Sequence, residues 1–108
     1  MRRDIQNILD KVIYRIVHRF DPQRIILFGS YAIGEPNANS DLDLLIVMNV
    51  EGSTRQTAIE IDMLASDRRI PMDFLVLTPE QYERQKNIIG TVGRQAAREG
   101  KVVYEQAA

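Results

Sequence analysis

The sequence predicts an α/β protein in which helices flank a small sheet. Three observations lead to this fold class: apolar residues recur at helical spacing near the start, short apolar runs typical of buried strands follow, and helical segments separate those runs. Alternating helices and buried strands usually build a sheet covered by helices. The 108 residues suffice for one small core, so we expect a single domain over residues 1–108.

The first helix is predicted over residues 2–20, because one stripe of apolar side chains recurs at steps of three and four. That stripe consists of Ile5, Ile8, Leu9, Val12, Ile13, Ile16, Val17 and Phe20. Asp21-Pro22 ends the helix, since proline interrupts helical hydrogen bonding. The almost wholly apolar run Arg24 to Phe28 is typical of a strand buried on both faces.

The middle of the chain predicts a turn, a strand and a helix. Tyr31 to Gly34 fits a short helical turn, and the run from Glu35 to Ser40, with its proline and asparagines, fits a loop. Leu42 to Met48 is a second buried strand, and Gly52 to Ser66 a helix. The residues expected to face the core from that helix are Ile59, Met63, Ala58 and Leu64.

The last third predicts a third strand, Pro71 to Leu77, and two helical segments. Thr78 has the character of an N-cap and Pro79 of a first helical residue. A last helix is expected from Ile88 to Glu99, followed by a short extended tail from Lys101 to Tyr104.

Composition narrows the class of protein. The formal net charge is −1, which argues against broad electrostatic binding of nucleic acid. Cysteine is absent, so disulfides and thiolate chemistry are excluded. No apolar run approaches the ~18–20 residues needed to cross a membrane, and the first residues are polar. We therefore expect a cytoplasmic protein that makes no membrane contact.

Two carboxylates stand at the start of the second strand. Asp41 and Asp43 are two residues apart, so strand geometry points both side chains to one side. The residues that follow are apolar, and like charges beside a core are costly unless a positive charge compensates them. Carboxylate oxygens are the ligands that Mg²⁺ prefers, and paired metals serve phosphoryl transfer. Asp41 and Asp43 are therefore candidate magnesium ligands.

A third acid, Asp73, lies inside the third apolar strand, where packing gives it no purpose. If that strand neighbours the second one, Asp73 faces the Asp41–Asp43 pair and can help to bind metal or accept a proton. Gly29-Ser30 directly follows the first strand. Glycine lets a phosphate approach the backbone, main-chain amides at the start of a helical turn favour anions, and the serine hydroxyl can bond a phosphate oxygen.

Each feature also has an ordinary structural explanation. Gly29-Ser30 can be a plain turn, Asp41 and Asp43 a solvated strand entry, and Asp73 the partner of a nearby arginine. His18, Arg68-Arg69, Tyr31 and Tyr104 fit surface or packing roles. The three acids and the Gly-Ser turn nevertheless fall on consecutive buried strands, a combination that favours a phosphate-handling site over separate coincidences.

The stretch from Leu27 to Leu45 resembles the DNA polymerase β-like nucleotidyltransferase superfamily. It has Gly29-Ser30, then ten residues, then Asp41-Leu42-Asp43, with a third acid on a later strand. The short length and the ending Ala97 to Glu105 resemble the minimal nucleotidyltransferases of the MntA type. The resemblance implies an α+β fold with a small mixed sheet flanked by helices.

The same resemblance implies functional roles. Gly29 and Ser30 would bind the nucleotide phosphates, and the catalytic acids Asp41, Asp43 and Asp73 would bind Mg²⁺, in two copies. ATP would be the donor, and AMP would pass to a tyrosine of a HEPN-type toxin encoded nearby, with which the antitoxin would form a hetero-oligomer. Many relatives carry arginine where Ile33 stands.

Two alternatives remain open at the level of sequence. The protein can be an antitoxin that neutralises its toxin by binding and masking it, without catalysis. It can also be a nucleotidyltransferase whose acceptor is a small molecule or RNA.

Overall fold

A computed structural model describes residues 1–107 as five helices and one four-stranded sheet. In chain order the elements are α1 (Arg3–Phe20), β1 (Arg24–Phe28), α2 (Ser30–Ile33), β2 (Leu42–Val47), α3 (Thr54–Leu64), β3 (Met72–Leu77), α4 (Pro79–Gln85), α5 (Val92–Glu99) and β4 (Lys101–Glu105). The expected α/β class is confirmed, and the bounds of β1 are those predicted.

The sheet has the order β3-β2-β1-β4 and is mixed. β2 and β3 run parallel, because the helix α3 returns the chain to the starting end of the sheet. β1 is antiparallel to both β2 and β4. The predicted extended tail is thus an edge strand, paired with β1 from Lys101 to Glu105. The mixed sheet implied by the resemblance is confirmed.

Alternate residues of the strands pack into two separate cores. Leu42, Leu44 and Ile46 of β2 point into the larger core, which α1 and α3 cover. Leu45 and Val47 point to the opposite face, into a smaller core with α4 and α5. Asp43 has the same parity as Leu45 and Val47, so its side chain belongs to the face of the smaller core.

α1 buries the predicted stripe, with Ile5, Leu9, Val12 and Ile16 inside. It ends at Asp21, whose left-handed backbone (φ 48°) lets its N–H donate to the carbonyl of Val17 at 3.1 Å. The buried Pro22 follows. None of the helices in residues 1–107 is both long and apolar enough to span a membrane.

The prediction for the inward face of α3 was wrong for two residues. Ile59 and Met63 are 45% and 67% exposed, whereas Thr57, Ile61 and Ala65 are buried. Ala58 and Leu64 are half-buried, as expected. The four-residue spacing of Thr57, Ile61 and Ala65 defines the face that meets the sheet, and two small side chains let the helix lie close to it.

The last helix begins later than predicted, at Val92 instead of Ile88. The hydroxyl of Thr91 accepts the N–H of Arg94 at 3.1 Å and so caps the helix at that point. Ile88 lies in the turn that joins α4 to α5. The predicted cap of α4 is confirmed: Thr78 and Gln81 form a reciprocal capping box, and Pro79 is the first helical residue.

Candidate active site

Asp43 and Asp73 lie side by side on adjacent parallel strands. Each is the second residue of its strand, and the two are register partners in the β2–β3 ladder. Because register partners in a sheet project to the same side, both carboxylates stand on the face of the smaller core. Asp43 is half-buried and Asp73 is exposed. The condition stated from the sequence, that the third strand neighbours the second, is met; the roles of the acids stay predictions.

Gly29 lies against Asp43, whose carboxylate leaves no room for a side chain at position 29. β1 ends at Phe28, which pairs with Asp43, so Gly29 begins the turn directly above that carboxylate. A Cβ on residue 29 would lie 2.2 Å from Oδ2 of Asp43. The backbone also has φ 76° and ψ −159°, a conformation almost confined to glycine. Glycine here makes room for the carboxylate, a purpose that sequence reasoning did not assign to it.

The local electrostatics place uncompensated negative charge at Asp43. Burial, repulsion from Asp73 and Asp41, and hydrogen bonding to Asp73 raise the pKa of Asp43 to about 6. Within residues 1–107, none of these three acids forms a salt bridge with an arginine or lysine. Among the described residues the three acids thus have no paired protein cation, which favours a cation supplied from outside.

The donor chemistry fits a hard divalent cation. Asp43 and Asp73 offer adjacent carboxylate oxygens, the ligand type of Mg²⁺, and the charge at Asp43 is the kind that such an ion relieves. In the described part of the chain, no group of three or more histidine, cysteine, aspartate or glutamate side chains forms a complete metal site. Asp41 is half-buried and acts on Asp43 through its charge. The assignment of all three acids as metal ligands stays a prediction.

Ser30, the first residue of α2, is tied to the loop that leads into β2. Its Oγ lies 2.9 Å from Oγ of Ser40, the residue immediately before Asp41. Ser40 also accepts the N–H of Asn37 at 2.8 Å. Sequence reasoning placed Ser40 only in a loop; its position next to the first acid was the available signal.

An open groove of about 430 Å³ runs beside Asp73. β3 forms one wall, with Asp73 and Leu75, and α3 forms the other, with Ile59 and Arg55. Because β3 is the edge strand of the sheet, this side of the site is not covered by another strand. The exposure of Ile59 in this groove was not recognised from sequence, since Ile59 was expected in the core; Leu75 is 40% exposed.

Two other candidates from the sequence, His18 and Arg68, form no salt bridge with the three acids within the described residues. His18 is exposed and packs on Tyr14, with ring centroids 4.0 Å apart. Arg68 pairs with Asp62 at 2.7 Å and stacks on Phe74. These contacts agree with the surface and packing roles expected for them. Ile33, at the end of α2, is 52% exposed.

Comparison with protein families places most of the chain in a known group. Residues 9–99 match the family described as Nucleotidyltransferase domain. Since this match covers most of the chain, the protein belongs to the nucleotidyltransferase domain family. Members of this family generally use a nucleoside triphosphate and a divalent metal, and membership supports transferase activity.

Solved structures share the fold at low sequence identity. A proposed nucleotidyltransferase from Sulfolobus solfataricus is 18% identical, with a TM-score of 0.59 over 93% of this chain and 79% of that one. Two mutant structures of the toxin–antitoxin MntA–HpeT are 22% and 20% identical, with TM-scores of 0.63 and 0.50. They cover 91% and 95% of this chain, and 72% of each matched chain. No curated protein matches this chain significantly.

Proposed function

We propose that this protein is a magnesium-dependent nucleotidyltransferase that moves AMP from ATP onto a tyrosine of a HEPN-type toxin, and that it is the antitoxin of that pair. The observation that carries the proposal is the pairing of Asp43 with Asp73 across two parallel strands, with no salt bridge from either acid to an arginine or lysine within residues 1–107. Membership of the nucleotidyltransferase domain family supports nucleotidyl transfer as the reaction class.

Each residue of the site has a specific part in this proposal. Gly29 and Ser30 hold the nucleotide phosphates, the serine by donating its hydroxyl to a phosphate oxygen. Asp41, Asp43 and Asp73 would hold two Mg²⁺ ions. Bound magnesium supplies the positive charge that phosphoryl transfer needs. Asp43 is half-buried, which suits a carboxylate that would serve as a metal ligand.

The proposed transfer is a single displacement at the α-phosphorus of ATP. The tyrosine oxygen forms a bond to the α-phosphorus of ATP, and the bond from that phosphorus to the diphosphate oxygen breaks. The diphosphate leaves with the electron pair. Asp73 accepts the tyrosine proton, a role supported by its exposure beside the groove.

A protein acceptor fits the open side of the site. The groove next to Asp73 has one strand and one helix as walls and leaves room for a side chain presented by a partner. The MntA–HpeT structures, which share this fold, are of a toxin–antitoxin. The HEPN type of the toxin and the tyrosine acceptor rest on the sequence resemblance.

Labelled ATP tests the proposal directly. The protein is incubated with α-labelled ATP, Mg²⁺ and the product of the adjacent gene, and the label on that partner is measured. We expect label on a tyrosine of the partner, lost in Asp43→Asn and retained in Asp10→Asn, a variant of an exposed acid on α1. Absence of label with folded, nucleotide-binding protein would refute a protein acceptor.

A second candidate, an antitoxin that masks its toxin without catalysis, is favoured by one observation. Ile33 exposes an apolar side chain close to Ser30, where many relatives carry an arginine. The double variant Asp41→Asn/Asp43→Asn separates the two functions in cells that express the toxin. Loss of protection supports catalysis, whereas full protection supports masking.

A further inference from the structure

Ser40 connects three parts of the candidate site through one hydroxyl. Its Oγ lies 2.9 Å from Oγ of Ser30 and accepts the main-chain N–H of Asn37 at 2.8 Å. Its own main chain leads directly into Asp41. The side chains of Ser30 and Ser40 are both half-buried, so water competes only partly for this contact. The phosphate turn and the first acid are therefore linked by a short path.

Each serine hydroxyl has one proton, and this limit decides which of the two serines can donate the hydrogen bond between them. A hydroxyl donates one hydrogen bond and accepts up to two. One acceptor position of Ser40 is taken by the N–H of Asn37, and its other hydrogen bond within residues 1–107 is the contact with Ser30, in which the Ser30 hydroxyl is placed as the donor. If Ser40 donates to Ser30, the proton of Ser30 is left free for a third group. If Ser30 donates to Ser40, Ser30 has no proton to offer.

We infer that Ser40 is a positioning residue that donates to Ser30 and so turns the Ser30 hydroxyl toward the nucleotide phosphate. This inference rests on the proposed function, because it assumes that Ser30 meets a phosphate. Phosphate oxygens only accept hydrogen bonds, so a bound nucleotide selects the arrangement in which Ser40 is the donor. Ser40 then acts on nucleotide affinity through Ser30, without touching the nucleotide.

A purely structural role for Ser40 makes a different prediction. Its bond to the N–H of Asn37 closes the turn from Asn37 to Ser40, which a main-chain bond of 3.1 Å also holds. If Ser40 matters only because it orders this turn, its loss acts independently of Ser30. The two roles therefore differ in whether the effects of the two serines add.

A double-mutant cycle separates them, with binding of ATP in the presence of Mg²⁺ measured by calorimetry. Loss of a hydrogen bond to a charged group costs about tenfold or more in affinity, so we expect Ser30→Ala to weaken binding by about tenfold. Ser40→Ala should weaken it by on the order of fivefold. The double variant should bind as Ser30→Ala does. Multiplied losses of roughly fiftyfold would overturn the inference.

Three further variants complete the design. Ser40→Thr keeps the hydroxyl and should bind ATP as the wild type does. A loss of ATP affinity equal to that of Ser30→Ala would count against the positioning role. This variant decides the question even if Ser40→Ala fails to fold. Asn37→Ala removes the side-chain oxygen that accepts the N–H of Asn39 at 2.8 Å, which loosens the same turn. Ser53→Ala removes a serine that caps α3 in another loop. Both should bind ATP normally.

The outcomes also distinguish this inference from the proposed function. A wild-type protein that binds no ATP with Mg²⁺ overturns both. A wild-type protein that binds ATP, with Ser40→Ala unchanged, overturns only the role of Ser40.

Discussion

The carboxylate of Asp43 occupies the space that a side chain on residue 29 would need. Oδ2 of Asp43 lies 2.2 Å from the position of a Cβ at Gly29, too close for any real contact. The glycine of the phosphate turn and the half-buried acid of β2 thus depend on each other. From the sequence, the glycine at position 29 is explained by the approach of a phosphate. In the structure, glycine is also required at this position because the Asp43 carboxylate leaves no room for a side chain.

Gly29→Ala should therefore be destabilising and should weaken metal binding at Asp43. The new Cβ collides with the carboxylate, and the backbone conformation is one that alanine avoids at a cost of about 1–3 kcal/mol. Gly34→Ala is the matched control, because Gly34 has φ 81° but open space around it. Chemical denaturation of both variants should show a larger loss for Gly29→Ala; equal losses would mean that the collision is relieved at no cost.

The stability of the metal-free protein should fall as pH rises from about 4 to about 6. In the folded protein the pKa of Asp43 is raised to about 6, so Asp43 keeps its proton across this window. In the unfolded chain the same carboxyl has already lost its proton, so folding is favoured at the lower pH. Stability from this group is thus complete at low pH and lost through pH 6. Asp43→Asn should melt about 4 °C higher than wild type at pH 8, about 1 kcal/mol after allowance for solvent screening.

The same comparison at pH 4 is the control for that prediction, since the wild-type carboxyl is then largely protonated and the two melting temperatures should nearly agree. A constant difference between pH 4 and pH 8 would assign the effect to packing instead of charge.

Magnesium should stabilise the wild type and not the variants that lack an acid. An ion that binds only the folded state stabilises it by RT ln(1 + L/Kd), where L is the concentration of free ion, so the melting temperature rises with that concentration. Melting curves with and without excess Mg²⁺ at pH 8 should shift for wild type and for Asp10→Asn, and remain in place for Asp43→Asn. An equal shift in all three proteins would indicate nonspecific screening.

Asp73→Asn should reduce nucleotidyl transfer by at least about 100-fold, because it removes both a metal ligand and the proposed proton acceptor. The variant should fold normally, since Asp73 is exposed. Initial rates with labelled ATP and the partner provide the measurement. Asp62→Asn lies in the same groove but outside the β2–β3 pair, and activity near that of wild type in this variant would exclude a general effect of groove charge.

The corrected orientation of α3 can be tested by stability alone. Ile61→Ala removes a fully buried side chain and should cost about 2–5 kcal/mol in the free energy of unfolding. Ile59→Ala, two residues away and 45% exposed, should change it by less than about 0.5 kcal/mol. The reverse order would restore the orientation predicted from sequence.

Much of the fold follows from local patterns. The apolar runs of β1 and β2 and the stripe of α1 report burial directly, so the limits of β1 came out as predicted and those of α1 and β2 to within one residue. The face of α3 could not be deduced this way, because Ile59 and Met63 are as apolar as core residues. Which stripe of a helix is buried depends on the sheet that it meets.

For the site, the sequence by itself determined the residue types and their spacing: Gly29-Ser30, Asp41, Asp43, and an acid on a later strand. Chain connectivity fixes these, together with the two-residue alternation of a strand. Only the tertiary structure decided that β3 lies beside β2, so that Asp43 and Asp73 share a register position. Such contacts between distant residues, including Gly29 with Asp43 and Ser30 with Ser40, arise from strand pairing and loop closure, which no local pattern encodes.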